Sequence, residues 1–435
     1  MWFALSKAAS AGAVGALLEW YDFYVFATAS ALVFGHIFFP SNVPVVGTMA
    51  SFGTFAAGFV SRPLGGVLFG HIGDTLGRRA SLVLTLLIIG IGTCLIGLLP
   101  GYDRIGLWAP ALLVALRVVQ GIGLGGEYAG SSLIVIEHAP SGERGFWGSL
   151  PQAASPGGLL LATGMFGLVS LLPQQSFMAW GWRIPFLLSA LMLFVGLFIR
   201  LQVAETPEFN QKRKESLDEP PGKQLVRAHA RNLVLATGAR LVETVSGNLI
   251  KSFGLAYVTL DLDLPREIPL TALMAAATVG LLMTPVYGAL GDRLGQRRVY
   301  LLGTVMIAVL AVPFFALLNT RSMVATWMAF IITYNLGPTL LLSVQPSLFA
   351  RMFDTGIRFT GMSVAYQVSA IAGGFTPLIS LWMLQHAGGR SWPMAVLLVV
   401  VATISFSCVS SASLAAAGRR ARSPHDFTKS RSRNL

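Results

Sequence analysis

The stretch Gly70-His71-Ile72-Gly73-Asp74-Thr75-Leu76-Gly77-Arg78-Arg79 returns as Gly288-Ala289-Leu290-Gly291-Asp292-Arg293-Leu294-Gly295-Gln296-Arg297-Arg298. Both copies keep the spacing G-x-x-G-D-x-L-G, and they lie 218 residues apart in a chain of 435. A segment that recurs at half the chain length points to two similar halves in tandem. Each copy is a short polar connection between long apolar runs, and the runs decide the fold class.

Of the chain, 54% is apolar and only 11% charged, against about a quarter charged in an ordinary soluble domain. Runs of roughly 17 to 25 mostly apolar residues, the length that crosses a bilayer, recur twelve times. They lie near 11–38, 45–70, 81–99, 108–136, 146–172, 183–202, 232–260, 268–290, 299–318, 323–349, 359–384 and 392–416. In lipid the backbone has only itself to bond to, and these runs are too long and too uniformly apolar for barrel strands, so each reads as a helix. The expected fold is all-α and integral to the membrane: twelve transmembrane helices in two six-helix pseudo-repeats around a central cavity. This composition excludes a soluble enzyme. The 47 glycines and 22 prolines are scattered through apolar runs, which excludes a disordered or collagen-like chain. Cys94 and Cys408, far apart in sequence, build neither a disulfide framework nor a zinc site, and no metal is expected. The first run lacks a small-residue cleavage site and reads as a retained span.

The net charge of +12 is a topology signal here rather than a nucleic-acid footprint. Sorted by connection, 22 of the Lys and Arg fall on the side of the N-terminus and five, Arg104, Arg183, Arg266, Arg321 and Arg390, on the other. Basic connections are retained in the cytoplasm, so both termini are expected there, in a multi-pass protein of the plasma membrane, which is the inner membrane in a Gram-negative cell. The polar connection 203–231 divides the chain into an N-terminal six-helix bundle, 1–202, and a C-terminal one, 232–416. A basic tail, 417–435, is expected to lie near anionic lipid. The repeated loops read as a cytoplasmic gate. Gly70, Gly77, Gly288 and Gly295 permit close helix approach, Asp74 and Asp292 can hold an arginine or a helix N-terminus, and Arg78, Arg79, Arg297 and Arg298 cap that face.

Eight ionisable residues fall inside spans: Glu19 and Asp22 in the first, Arg62 in the second, Arg117 and Glu127 in the fourth, and Arg240, Glu243 and Lys251 in the seventh. One charge at the bilayer centre costs about 2.5–3.5 kcal/mol on the most lenient scale, so eight must face a watery cavity or one another. Arg62, just before Pro63 and two glycines, is the structural case. Helical spacing sharpens the rest. Glu19 and Asp22 share a face; Arg117, Gln120, Leu124 and Glu127 form one stripe; Arg240, Glu243, Gly247, Asn248 and Lys251 form another. In the tenth span Tyr334, Pro338, Leu341 and Gln345 form an uncharged stripe. Trp20, Tyr21, Phe23, Tyr24 and Phe26 crowd the first span, where one or two could flank a ring-shaped solute.

The loop Gly70 to Arg79 resembles the signature loop of the major facilitator superfamily, and Arg117-Val-Val-Gln120-Gly121-Ile-Gly123-Leu-Gly125-Gly126-Glu127 resembles that superfamily's fourth-helix motif. Glu19-Trp20-Tyr21-Asp22-Phe23, Arg62-Pro63-Leu64-Gly65-Gly66, Gly181-Trp182-Arg183-Ile184-Pro185-Phe186 and Glu205-Thr206-Pro207-Glu208-Phe209 are similar to the metabolite:proton symporter family. Within it, Trp108-Ala109-Pro110, Leu264-Pro265-Arg266-Glu267, Ala365-Tyr366-Gln367-Val368 and Gly373-Gly374-Phe375-Thr376-Pro377 are most similar to shikimate permeases. The resemblance implies that spans one, four, seven and ten line the cavity, the same spans that carry the polar stripes. Asn248 and Lys251 depart from the mostly apolar residues expected of shikimate permeases there, which favours a more anionic solute.

Two other motifs fail on context. Gly121-Ile-Gly123-Leu-Gly125-Gly126 satisfies G-x-G-x-x-G but lies inside an apolar span rather than between strand and helix. Ser155-Pro156-Gly157-Gly158 resembles the fifth-helix motif of drug:proton antiporters but lacks its longer glycine spacing, which argues against export. No catalytic constellation is present, so an enzyme is not expected.

The function expected is secondary active transport: uptake of a small organic acid, such as shikimate or a related carboxylate, in symport with protons by alternating access. An exporter of drugs or metabolites on the same fold is the alternative. Asp22 leads the candidate proton carriers, with Glu127, Glu19 and Glu243 behind it, and Asp22 is expected to be either protonated or paired with Arg117. Candidate solute ligands are Arg117, Gln120, Arg240, Asn248, Lys251, Tyr334 and Gln345. No cofactor is expected beyond the coupling proton. The expected partners are the organic acid, the proton and the lipid bilayer, with no nucleic acid, and the monomer is the expected functional unit.

Overall fold

The computed structural model describes residues 2–41, 43–76, 78–125, 133, 135–136, 139–140, 142–202, 221–354 and 357–412. The side chains of 2–15, 70–71, 73–82, 199–202 and 221–228 lie outside the description. Twelve long helical segments follow one another. They are α1 (Trp2–Leu32), α2 (Pro44–Leu76), α3 (Arg78–Leu98), α4 (Trp108–Leu124), α5 (Ala154–Ser170), α6 (Ile184–Gln202), α7 (Pro221–Asn248), α8 (Glu267–Leu294), α9 (Gln296–Asn319), α10 (Met323–Tyr334, resuming at Leu340–Ala350), α11 (Arg358–His386) and α12 (Trp392–Ser411). Among the described residues, eight helical stretches are long and apolar enough to cross a membrane, and Val83–Leu98 and Trp108–Leu124 are shorter apolar ones. Neither α1 nor α7 is in that set, although both runs are expected to span; α7 carries Arg240 and Glu243, with Lys251 in the turn that follows it.

Large apolar side chains such as Leu64, Val67, Phe194, Phe198, Leu282 and Val312 point outward and are well exposed. In water so much outward apolar surface would drive association, whereas it matches a lipid surround. The interior is a continuous aromatic and aliphatic core.

The packing repeats with the sequence. In the first half α1 packs on α5, α2 on α4 and α3 on α6; in the second, α7 packs on α11, α8 on α10 and α9 on α12. Adding six to each helix number converts one set into the other. The same shift exchanges the two main contacts between halves, α2 with α11 and α5 with α8, so the interface has pseudo-two-fold symmetry.

Close approach explains the glycines. A Cβ on Gly65 would overlap the Ile122 carbonyl, one on Gly121 the Gly58 carbonyl and Ser61 hydroxyl, and one on Gly125 the Arg62 carbonyl. The dinucleotide-like Gly121-Ile-Gly123-Leu-Gly125 is therefore a helix-crossing surface between α2 and α4.

Two features depart from regular spans. α7 starts at Pro221 and breaks helical geometry at His229 (φ −130°, ψ 19°), so the end of the expected 203–231 linker is a helix that joins the span through a kink. Wider π-helical turns occupy Leu249–Phe253 and Tyr257–Asp261 at the end of α7 and Asn335–Thr339 inside α10. In α10, Pro338 removes an amide from the regular ladder. π turns recur at functional sites.

Candidate functional site: a buried polar layer between the halves

The residues singled out by their depth are all withdrawn from the outer surface. Glu19, Asp22, Arg62, Arg117, Gln120, Arg240, Glu243, Asn248, Tyr334 and Gln345 are buried, and Lys251 is partly buried. Glu127 lies outside the described residues.

In the first half, Asp22 of α1 accepts a hydrogen bond from the Ser189 hydroxyl of α6, with the Thr93 hydroxyl of α3 also against it. Arg117 of α4, 1% exposed, donates to Gln120 Oε1 at 3.3 Å, and Gln120 Nε2 donates to Thr93 Oγ1 at 2.8 Å. The expected direct pair of Asp22 and Arg117 is not formed. Gln120 links Arg117 to Thr93 Oγ1, which itself donates to the Ile89 carbonyl at 2.9 Å, and the Arg117 guanidinium is committed to aromatic faces. It lies 4.0 Å from the centroid of Phe26 and 5.3 Å from that of Phe55. Gly58 makes room for it: a Cβ there would come within 2.6 Å of Arg117 Nε. Arg62 is held the same way, 4.1 Å above Phe59 and 5.2 Å from Phe23, in keeping with a structural role.

In the second half, Arg240 Nη2 meets Glu243 Oε2 at 3.3 Å, one turn along α7. Arg240 Nη1 donates to the Tyr366 carbonyl at 2.9 Å and to Ser369 Oγ at 2.8 Å, and the guanidinium covers the Tyr366 ring at 3.3 Å. Asn248 Nδ2 donates to the Thr244 carbonyl at 2.9 Å, and Gly373 of α11 leaves space for both residues.

The halves join at Lys251, in the π turn of α7. Its Nζ donates to the Tyr24 hydroxyl of α1 at 3.0 Å and lies 4.8 Å from the Tyr24 ring and 5.7 Å from that of Tyr334. The Tyr24 hydroxyl in turn shares a 2.8 Å hydrogen bond with Ser155 of α5. Arg62 stands within electrostatic reach of Arg117 on one side and of Arg240 and Tyr366 on the other, so the charged groups of both halves form one layer. Gln345 is buried in the second segment of α10, beyond the π turn that interrupts the expected Tyr334 to Gln345 stripe.

The halves touch at both ends. On the side of the repeated loops, Asp292 accepts from the amides of Gly145 (2.7 Å) and Phe146 (2.8 Å), Gln296 Nε2 supports it at 3.0 Å, and Ser347 Oγ donates to the Arg144 carbonyl at 2.8 Å. Gly288 lies against Ser149 and the Gly145 carbonyl, and Gly295 makes the turn into α9 at φ +92°, where only glycine is unstrained. Arg297 bonds the Ser410 carbonyl, and Arg298 lies in the first turn of α9. In the first copy, Gly70 and Asp74 fall near the end of α2 and Arg78 and Arg79 open α3; their side chains, and Gly77, lie outside the described residues. At the opposite end, Arg266 donates to Gln174 and, at 3.2 Å, to the Ser170 carbonyl, and lies 3.8 Å from the Phe177 ring. Burial there lowers the Arg266 pKa from its ordinary value, with Glu267 opposing the shift.

The sequence profile described as "MFS/sugar transport protein" matches residues 148–418, and that described as "Sugar (and other) transporter" matches residues 8–219. The shikimate transporter of Escherichia coli (strain K12) is 38% identical over 406 residues, covering 92% of each chain. The chain belongs to the major facilitator superfamily. Other relatives in this superfamily are metabolite transporters too. The inner membrane metabolite transport protein YhjE of the same strain is 39% identical, covering 88% of this chain and 89% of its own. The glycine betaine/proline/ectoine/pipecolic acid transporter OusA of Dickeya dadantii (strain 3937) is 34% identical, covering 91% and 81%. The fold matches the xylose transporter XylE from E. coli in a partially occluded inward-open conformation, with a TM-score of 0.74 and 18% identity over 93% of this chain and 97% of that one. The chain is thus a multi-pass major facilitator transporter of small molecules and not an enzyme.

Sequence reasoning found the charged members of the layer and missed their neutral partners. Ser189, Thr93, Ser155, Tyr366 and Ser369 are ordinary residues of apolar helices, and no spacing in the sequence ties them to a charge on another helix. The π turn around Lys251 left no signal, whereas the one in α10 was marked by Gly337-Pro338.

Proposed function

We propose that this transporter takes up a small organic acid together with protons by alternating access. The observation that carries the reading is the Lys251–Tyr24 bond between the halves, at the centre of a buried layer of acids and bases contributed by both. Such groups are expensive in a membrane even when paired, and where they occur they mark solute and ion pathways.

Asp22 is the first choice for the proton. Its partners are hydroxyls rather than a cation, so a proton neutralises it at lower cost than leaving a buried carboxylate charged. Glu127, Glu19 and Glu243 are the further candidates, Glu243 being tied to Arg240. Arg117, Gln120, Arg240, Asn248, Lys251, Tyr334 and Gln345 are the candidate solute ligands. An entering carboxylate competes for the cations of the layer. Its negative charge favours protonation of a neighbouring acid, whether Glu243, whose Arg240 it draws off, or Asp22, which has no cation to hold it ionised, so solute and proton travel together and the loaded site carries less net charge. The proton is the coupling ion and no cofactor is required.

The bundles 1–202 and 232–416 are the moving bodies, and the Asp292 and Arg266 contacts are the latches that alternate between closed and open. The face with the repeated loops is cytoplasmic, with both termini there and the basic tail 417–435 near anionic lipid. The membrane is the plasma membrane, or the inner membrane of a Gram-negative cell, and the monomer is the working unit. The name of the shikimate relative favours a carboxylate, and those of the betaine and proline relatives set the competing solute class.

Reconstituted vesicles offered radiolabelled shikimate, protocatechuate, citrate, 2-oxoglutarate and betaine under inward and outward pH gradients test this reading. Concentrative uptake of a carboxylate under the inward gradient, abolished by a protonophore, is expected. Accumulation that ignores the gradient contradicts it, and movement only against an inward gradient assigns export instead.

A further inference from the structure

Of the three cations proposed to meet the solute, two have their acceptors within the protein. Arg240 has Glu243, a carbonyl and a hydroxyl, and Arg117 has Gln120 and two aromatic faces. Arg117, like Lys251, has no carboxylate partner among the described residues, but it is 1% exposed and enclosed by rings, whereas Lys251 is only partly buried. The Lys251 hydrogen bond is to a neutral tyrosine hydroxyl. A neutral hydroxyl compensates a partly buried ammonium far less than an anion does, because only an anion adds the attraction of opposite charges, which is strong in a poorly hydrated site.

The surroundings limit the shape of that anion. The Trp20 ring lies nearly parallel to Tyr24, at 5.4 Å and 21°, and the Tyr334 ring lies 5.7 Å from the ammonium. A carboxylate oxygen that replaces the Tyr24 hydroxyl on Lys251 therefore brings the body of its molecule among aromatic faces, which favour a flat apolar ring.

The same aromatic faces could hold a quaternary ammonium group by cation–π attraction. In this chain the Lys251 ammonium already stands against two of them, and a second cation there meets a like charge in a poorly hydrated site.

We propose that Lys251 is the ligand of the solute carboxylate and that its place beside the Tyr24 and Tyr334 rings selects ring-borne carboxylates over zwitterionic quaternary ammonium solutes. The proposal rests on the reading of the chain as a carboxylate symporter and narrows it to one ligand and one solute class.

Calorimetric binding to the purified full-length protein tests it, with shikimate and protocatechuate as ring acids, citrate and 2-oxoglutarate as open-chain acids, and betaine as the zwitterion. A ring acid is expected to bind and betaine is not. Lys251→Met weakens ring-acid binding by about tenfold or more, and Lys251→Arg, which keeps the charge, restores it to within about threefold. Both variants must elute as a single species like the wild type, and the arginine rescue separates a charge requirement from damage to the fold. Betaine binding as tightly as the ring acids, ring acids failing to bind, or Lys251→Met binding them unchanged would overturn the proposal. Gradient-driven uptake of an open-chain acid or of betaine in the same preparation, without ring-acid binding, would sink this inference and leave proton coupling standing. No gradient-driven uptake of any of them would sink the broader reading.

Discussion

Arg240 and Glu243 meet at 3.3 Å with both side chains almost wholly buried, and Glu243 supplies the negative charge that the carbonyl and hydroxyl acceptors of Arg240 lack. Removing one partner of such a pair leaves a bare buried charge, which costs about 3–5 kcal/mol, whereas replacing both with apolar groups costs far less. Glu243→Gln is therefore expected to lower the thermal midpoint of the detergent-purified protein sharply. The Arg240→Met/Glu243→Met double variant is expected to fall well short of the sum of the single losses, and additive losses would contradict the pairing. Asp22 gives a functional counterpart. Asp22→Asn keeps a side chain that can bond Ser189 but cannot release a proton, so solute exchange between the two sides is expected to persist while concentrative uptake disappears; unchanged accumulation rejects Asp22 as the proton site. The positions of these groups were legible because a charge deep in an apolar run must have a reason. Their partners were less so. Gln120 shares the Arg117 stripe, but the spacing of Asp22 and Arg117 says nothing about Thr93, and burial alone does not reveal that phenyl rings hold the Arg117 guanidinium.

Helices were the most readable elements, because lipid permits few alternatives and the apolar runs have the length of a bilayer. Their irregularities were less so. The kink at His229 follows from no proline or glycine pair, and the π turn at Leu249–Phe253 sits in a stretch that reads as a regular helix. Glycines in the spans were visible as permitting close approach, yet which ones do so is decided only by the packing. Gly121 lies against the α2 backbone, whereas Gly53, on α2 itself, has no atom within 4 Å of where its Cβ would stand. Gly121→Leu is expected to force α2 and α4 apart and to reduce the folded yield and thermal midpoint. Gly53→Ala is expected to be neutral or stabilising by up to about 1 kcal/mol. Equal effects of the two substitutions would show that close packing at Gly121 does not hold this crossing.

The whole molecule was announced by the repeated loop, and the six-helix shift that relates the two sets of helix contacts is its three-dimensional form. What the repeat did not announce is that the second copy closes its face by giving the Asp292 carboxylate to the Gly145 and Phe146 amides. Asp292→Asn weakens that charge-assisted latch and is expected to shift the population toward opening on its face. Spin labels at the exposed positions Gly142 and Arg293 would read this as a longer-distance population, and an unchanged distance distribution would show that the contact does not hold the face shut. The central claim, that solute and proton share one buried set of counter-charges, is tested most directly by a pH electrode in a lightly buffered suspension of reconstituted vesicles. On addition of a transported carboxylate the wild-type protein is predicted to make the outer solution more alkaline as solute enters, and Asp22→Asn is predicted to give no such signal. Solute entry by the wild-type protein with no accompanying proton movement would contradict it.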